Sequence, residues 1–225
     1  MSMTKITWIS LVMAVVSSLA VAGPVTINNY SFENGMGDDP RWATPTDWAM
    51  NGSTEEGRTG VMLASLSGNT TTAGSHVAYI NMTWGADTTV VSLYQATNAT
   101  FVEGNTYTLT VAMSVRGETS ATWNVPYKLS LEYADGTPVA TATGTLLYVD
   151  RGPLVDYSVN YTAVAADAGK TIQVRITDTQ NNGEYAQQMV LDNVRLNAVP
   201  EPAAMSLLAL GGILSLRRRR PPVNV

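Results

Sequence analysis

Two short stretches near opposite ends of the chain hold the residues best suited to metal chemistry: "INNYSFENG" at 27–35 and "MVLDNVRL" at 189–196. In the second, Val190, Asp192, Val194 and Leu196 recur at every other position, which predicts one strand face and sets Asp192 among inward-pointing side chains. A bare carboxylate facing a core is costly, so it calls for a cation or several hydrogen-bond donors. Glu33, beside Phe32 in a turn-prone Asn/Gly context, is the natural second oxygen ligand. Carboxylates joined by backbone carbonyls describe a structural calcium site. The alternative is that Asp192 only accepts backbone hydrogen bonds at a strand bend.

Aromatic rings are the second kind of candidate. Trp42, Trp84 and Trp123 each lie in a polar or turn-like context. An exposed ring there would stack on the apolar face of a pyranose, with neighbouring polar groups bonding its hydroxyls. Packing at a loop base is the competing reading for all three. Trp48 reads as core, and Gln95, after Tyr94, as structural. Catalytic machinery is sparse. His76 stands alone at the head of "HVAYIN", and cysteine is absent, so neither a thiol nucleophile nor a His/Cys zinc cluster can form. No Gly-x-Ser-x-Gly elbow or phosphate-binding glycine loop occurs. These residues predict a domain that binds rather than catalyses, although a two-carboxylate glycosidase stays open.

The elements that must position these groups are strands. In "TYTLTVAMSV", Tyr107, Leu109, Val111, Met113 and Val115 share one face and Thr106, Thr108 and Thr110 the other. Tyr127, Leu129, Leu131 and Tyr133 repeat the pattern, as do Val155, Tyr157, Val159 and Tyr161, then Ile172, Val174 and Ile176. Turn signals fall at Asp135-Gly136, Gly144, Gly152-Pro153, Gly169 and Asn182-Gly183. About ten short strands at this spacing predict an all-β antiparallel sandwich, a jelly roll, over residues 23–198. "SLSGNTTTAGS" reads as a flexible loop within it. No regular Thr-x-Thr array over successive strands suggests an ice-binding surface.

The two ends have another character. Lys5, the apolar run Ile6 to Leu19 and Ala20-Val21-Ala22 read as a secretory signal peptide over residues 1–22, removed by signal peptidase. At the other end stand Pro200-Glu201-Pro202, an apolar segment over 203–216 and Arg217, Arg218, Arg219 and Arg220. That segment is predicted to be a helix that enters the inner membrane transiently, its arginines held in the cytoplasm. The whole chain of 225 residues carries a net charge of −5, and losing both ends makes the remainder more acidic. Such a surface argues against nucleic acid as a partner. Without cysteine, stability has to come from the sheet core, which a bound metal would reinforce.

The order Pro-Glu-Pro, apolar stretch, arginine cluster resembles the PEP-CTERM sorting signal, here residues 199–225. The resemblance implies an exosortase-type processing enzyme as partner and an exported, surface or extracellular-matrix protein, with a link to exopolysaccharide. The Pro-Pro-Val-Asn-Val extension after Arg220 departs from the usual pattern. Within the domain, Asn-x-Ser-Phe-Glu near the start, "HVAYIN", "GNTYTLTVAMSVR" and Leu-Asp-Asn-Val-x-Leu at the end resemble the galactose-binding-like jelly rolls of several carbohydrate-binding modules. That resemblance implies a structural calcium on Glu33 and Asp192 and a polysaccharide ligand. The expectation is a non-catalytic, carbohydrate-binding exported protein. A purely structural matrix protein without a sugar ligand is the alternative.

Overall fold

The computed structural model describes residues 23–34, 43–52, 59–81, 90–117, 124–180 and 188–201. In chain order these form β1 (Gly23–Val25), β2 (Ala49–Asn51), β3 (Thr59–Leu63), the one-turn helix α1 (Ala64–Ser67), β4 (His76–Asn81), β5 (Val91–Thr100) and β6 (Asn105–Val115). They continue with β7 (Val125–Tyr133), β8 (Pro138–Leu146), β9 (Val155–Thr162), β10 (Thr171–Asp178) and β11 (Gln188–Pro200). Every strand pairing is antiparallel. One sheet runs β3-β4-β11-β6-β9 with β1 also paired to β11; the other runs β2-β5-β10-β7-β8. The predicted sandwich is therefore present. The signal peptide and the 203–216 helix lie outside the described residues.

Alternation decides what fills the space between the sheets. Leu109, Val111 and Met113 of β6 face Leu129 and Leu131 of β7 and Ile172, Val174 and Ile176 of β10 in one continuous core. Burying such side chains contributes roughly 1.5–3 kcal/mol each, the main stabilising term in a chain without disulfides. One end is closed by rings. Phe101 meets Tyr107, Tyr133 and Tyr161 edge to face at 5.0, 6.0 and 5.8 Å. The hydroxyls of Tyr133 and Tyr161 both donate to the buried Asp167 carboxylate.

Three expectations change. Gly144 is not a turn but sits inside β8, where an added Cβ would lie 2.6 Å from the Tyr127 hydroxyl. Its missing side chain admits that ring. The stretch from Ser65 to Ser75 is not a loose loop: it starts in α1, which ends where Gly68 turns left-handed at φ 67°, and its Asn69 amide donates to the carbonyls of Val115 and Gly152. The third change concerns β11. A bulge between Asp192 and Arg195, with Asn193 at φ 50°, shifts the strand's phase. Met189 and Leu191, then Val194, Leu196 and Ala198, face the main core. Val190 instead joins a small second cluster with Met62, Ala64, Val77 and Tyr79 on the other side. Asp192 shares the side of Val190, not that of Val194 and Leu196.

Candidate functional site

The outward face of the five-stranded sheet departs from the usual pattern of polar groups in water. Strand pairing sets its side chains in rows. Ser92, Thr177, Lys128 and Thr143 lie across β5, β10, β7 and β8, and Tyr94, Arg175, Ser130 and Thr141 form the next row. Gln173 and Glu132 follow. These residues alternate with Leu129, Leu131, Val174 and Ile176, which point to the core, so the polar set faces away from it. Yet Ser130 is fully buried, Glu132, Gln173 and Thr177 are 3% exposed, and Ser92 is 4% exposed. A sheltered polar floor crosses the middle of the sheet.

Its centre is an ordered charge pair. Arg175 Nε donates to both Glu132 oxygens at 3.0 and 2.9 Å, and Gln173 Nε2 donates to Glu132 Oε2 at 2.8 Å. Arg175 Nη1 donates to Ser92 Oγ at 2.9 Å, and the guanidinium stacks 4.4 Å over the Tyr94 ring. Geometry of this kind fixes the carboxylate, an arrangement worth more than a surface pair. Beside it, the Ser130 and Thr177 hydroxyls are buried without a hydrogen-bond partner.

Glu33 and Asp192 each bind the loop at 72–76. The amides of Ser75 and His76 donate to Glu33 Oε1 at 2.8 and 2.7 Å, while His76 Nδ1 lies 2.8 Å from Oε2. The amides of Thr72 and Ala73 donate to Asp192 Oδ2 at 2.9 and 2.8 Å, and Asn193 N donates to Oδ1 at 2.6 Å. Burial pushes the Asp192 carboxyl up, against the pull of the Thr72, Ala73 and Asn193 amides. Burial also opposes the charge of Glu33, but the His76 side chain and the His76 and Ser75 amides outweigh it and hold the carboxyl below its usual range. All four carboxylate oxygens already have hydrogen-bond partners, so a cation would have to displace some of these bonds. Two carboxylates share one loop with no lysine or arginine partner among the described residues, and the Thr72 and Ser75 hydroxyls add oxygens there. No group of three or more His, Cys, Asp or Glu converges among those residues, so a cation here would lean on these hydroxyls and on carbonyls.

The three tryptophans proposed to stack on sugar, Trp42, Trp84 and Trp123, lie outside the described residues. Trp48 is core, its ring 5.5 Å from Phe32, and Gln95 is structural, its amide bonded to the carbonyls of Asn28 and Asp47. Sequence reading missed the Glu132–Arg175 floor. In "YKLSLEY" and "TIQVRI" alternation marks the apolar halves, and the polar halves gain meaning only once β7 and β10 are paired. It also missed Asp178, the last inward position of β10, wholly buried with Oδ2 lacking a partner. Burial pushes this carboxyl up to about 7, against one hydrogen bond from the Gln180 amide.

Comparison with known proteins assigns the class. Residues 23–197 match the family described as HpiC1 cyclase, and residues 198–220 match the PEP-CTERM protein-sorting motif. The chain belongs to the HpiC1-like cyclase family and ends in an exosortase sorting signal, which marks it for export and membrane-associated sorting. The expectation of a non-catalytic domain is thereby corrected, because the family is a catalytic one. Among solved structures, the Stig cyclase Fisc from Fischerella sp. TAU, bound to (3Z)-3-(1-methyl-2-pyrrolidinylidene)-3H-indole, matches with TM-score 0.67 and 22% identity over 80% of this chain and 100% of that one. A cyclase from Fischerella sp. TAU in complex with 4-(1H-indol-3-yl)butan-2-one matches with TM-score 0.65 and 21% identity, covering 80% and 99%. An arabinose-bound α-L-arabinofuranosidase shares the fold at TM-score 0.55 and 13% identity, over 78% of this chain and 26% of that one. No curated protein matches.

Proposed function

We propose that this chain is an exported cyclase-type catalyst whose substrate lies on the outward face of the five-stranded sheet. The observation that carries the reading is the sheltered polar floor around Glu132, in a sheet whose other face already supplies the core. Ring closure requires a proton to be moved and developing charge to be stabilised. Glu132, fixed by Arg175 and Gln173, is placed to accept a proton. Arg175 stabilises the resulting negative charge, and Tyr94 offers a ring for stacking. Ring closure by addition conserves mass. The test is to incubate the protein with indole-bearing and other aryl substrates and follow products of unchanged mass. Glu132→Gln should abolish any such conversion; conversion at the wild-type rate in that variant would contradict the role given to Glu132.

A saccharide is the second reading of the same face. Hydroxyl, amide and guanidinium groups beside a tyrosine ring are the groups that bind sugar hydroxyls and ring faces. A glycan array probed with the wild-type protein and with Tyr94→Ala separates the two. Calcium belongs to the opposite sheet in this proposal, held by Glu33 and Asp192. It would supply a structural pin between the chain's N-terminal segment, the 72–76 loop and β11, with no chemical step passing through it.

A further inference from the structure

We propose that the ligand of the outward face carries a carboxylate, bound by the Lys128 ammonium together with the Ser130 and Thr177 hydroxyls. The inference rests on the location given above and adds the chemical class. Lys128 lies between Thr177 and Thr143 in its row, with Ser130 two positions along the same strand. Every other charge on the floor is matched, Arg175 against Glu132. Lys128 has no hydrogen bond or ion pair among the described residues, and the Ser130 and Thr177 hydroxyls are buried without a partner. A buried hydroxyl left unbonded is costly, and an incoming oxygen acceptor relieves that cost. Reaching these two hydroxyls needs neighbouring side chains to shift. Lys128, on a flexible stem with no partner for its head among the described residues, can move with them.

The charge balance selects the anion. With Arg175 neutralised, the floor presents one net positive charge, and the Glu132 carboxylate repels a second negative one. A monovalent, planar acceptor fits better than a phosphate dianion. The carboxylate could come from a uronic acid or from an aromatic acid, so the test uses both, each with its neutral counterpart. Titration calorimetry on the wild-type protein compares galacturonate with galactose, and indole-3-acetate with 4-(1H-indol-3-yl)butan-2-one; inorganic phosphate serves as the dianion control.

The expected result is that one of the two acids binds at least tenfold more tightly than its neutral partner and more tightly than phosphate. Lys128→Met should erase that preference, Lys128→Arg should retain it, and added salt should weaken it. Equal binding of acid and neutral compound, tighter binding of phosphate, a preference unchanged in Lys128→Met, or no binding by either acid at millimolar concentration would overturn the inference. Thr143→Trp, on the exposed strand beside Lys128, fills the row without touching the core. Acid binding that survives this variant shows that the face itself is not the site. Binding lost in Thr143→Trp but unchanged in Lys128→Met rejects the carboxylate alone.

Discussion

At Asp178 a single carboxyl sets a pH dependence that can be read directly. Its pKa is raised on folding to about 7 from 3.8, so the folded state holds the proton longer. Stability is then undiminished below about pH 4 and falls as pH climbs toward 7. A shift of this size corresponds to at most about 4 kcal/mol. Asp178→Asn keeps an acceptor for the Gln180 amide and removes the charge, so denaturation midpoints measured from pH 4 to 8 should decline less in the variant. Parallel profiles would contradict the assignment. Glu33, lowered on folding, works the other way and loses its contribution as pH falls below the usual carboxylate range, so comparing the two proteins isolates Asp178. Neither Asp178 nor Glu132 was legible in the sequence. Asp178 follows Ile172, Val174 and Ile176 in phase, but a polar residue at the end of an apolar run looks like the start of a turn. Glu132 needs Arg175, which lies 43 positions away.

Among the elements, β11 shows both the reach and the limit of period-two reading. The strand and the antiparallel class of its sheet were legible from alternation. The bulge was not. A residue at positive φ such as Asn193 resets every later side chain, and nothing in "LDNVRL" marks the insertion except an asparagine. The hydrogen bonds at Asp192 match the alternative reading of that residue, and calcium is the proposal added to them. The loop between α1 and β4 is fitted closely against the carboxylates. A Cβ on Gly74, at φ 78°, would lie 2.3 Å from Glu33 Oε1. If calcium binds only the folded state, it adds roughly 2.7 kcal/mol at a hundredfold excess over Kd. Thermal melts should therefore give a higher midpoint with calcium than with chelator. Asp192→Ala should bring the two midpoints together, and Gly74→Ala should lower both. Coincident wild-type midpoints would leave the amide bonds as the whole of the clasp.

On the scale of the whole molecule, the sorting tail and the sandwich share a boundary that the fold itself draws. β11 runs through Pro200, which pairs with Asn105, and the Glu201 amide donates to the Gly104 carbonyl at 3.0 Å. A processing enzyme needs extended, unpaired chain, so mass spectrometry of the exported protein should find its C-terminus after Glu201 and before Arg217. A terminus within β11, or an intact Arg217 to Val225, would contradict this. Among the described residues no helix is long and apolar enough to cross a membrane. The all-β class and the sorting motif at 198–220 could be read from the sequence, because alternation and terminal motifs are local. The catalytic family could not, because the site proposed for it draws on residues of several strands that singly look like solvent-facing polar groups. The site proposed here lies on the outward face of the five-stranded sheet. Amide chemical-shift mapping with galacturonate and indole-3-acetate tests it most directly. Shifts should concentrate on Ser92, Tyr94, Lys128, Ser130, Arg175 and Thr177; shifts confined to the 72–76 loop or to the other sheet would place the ligand elsewhere.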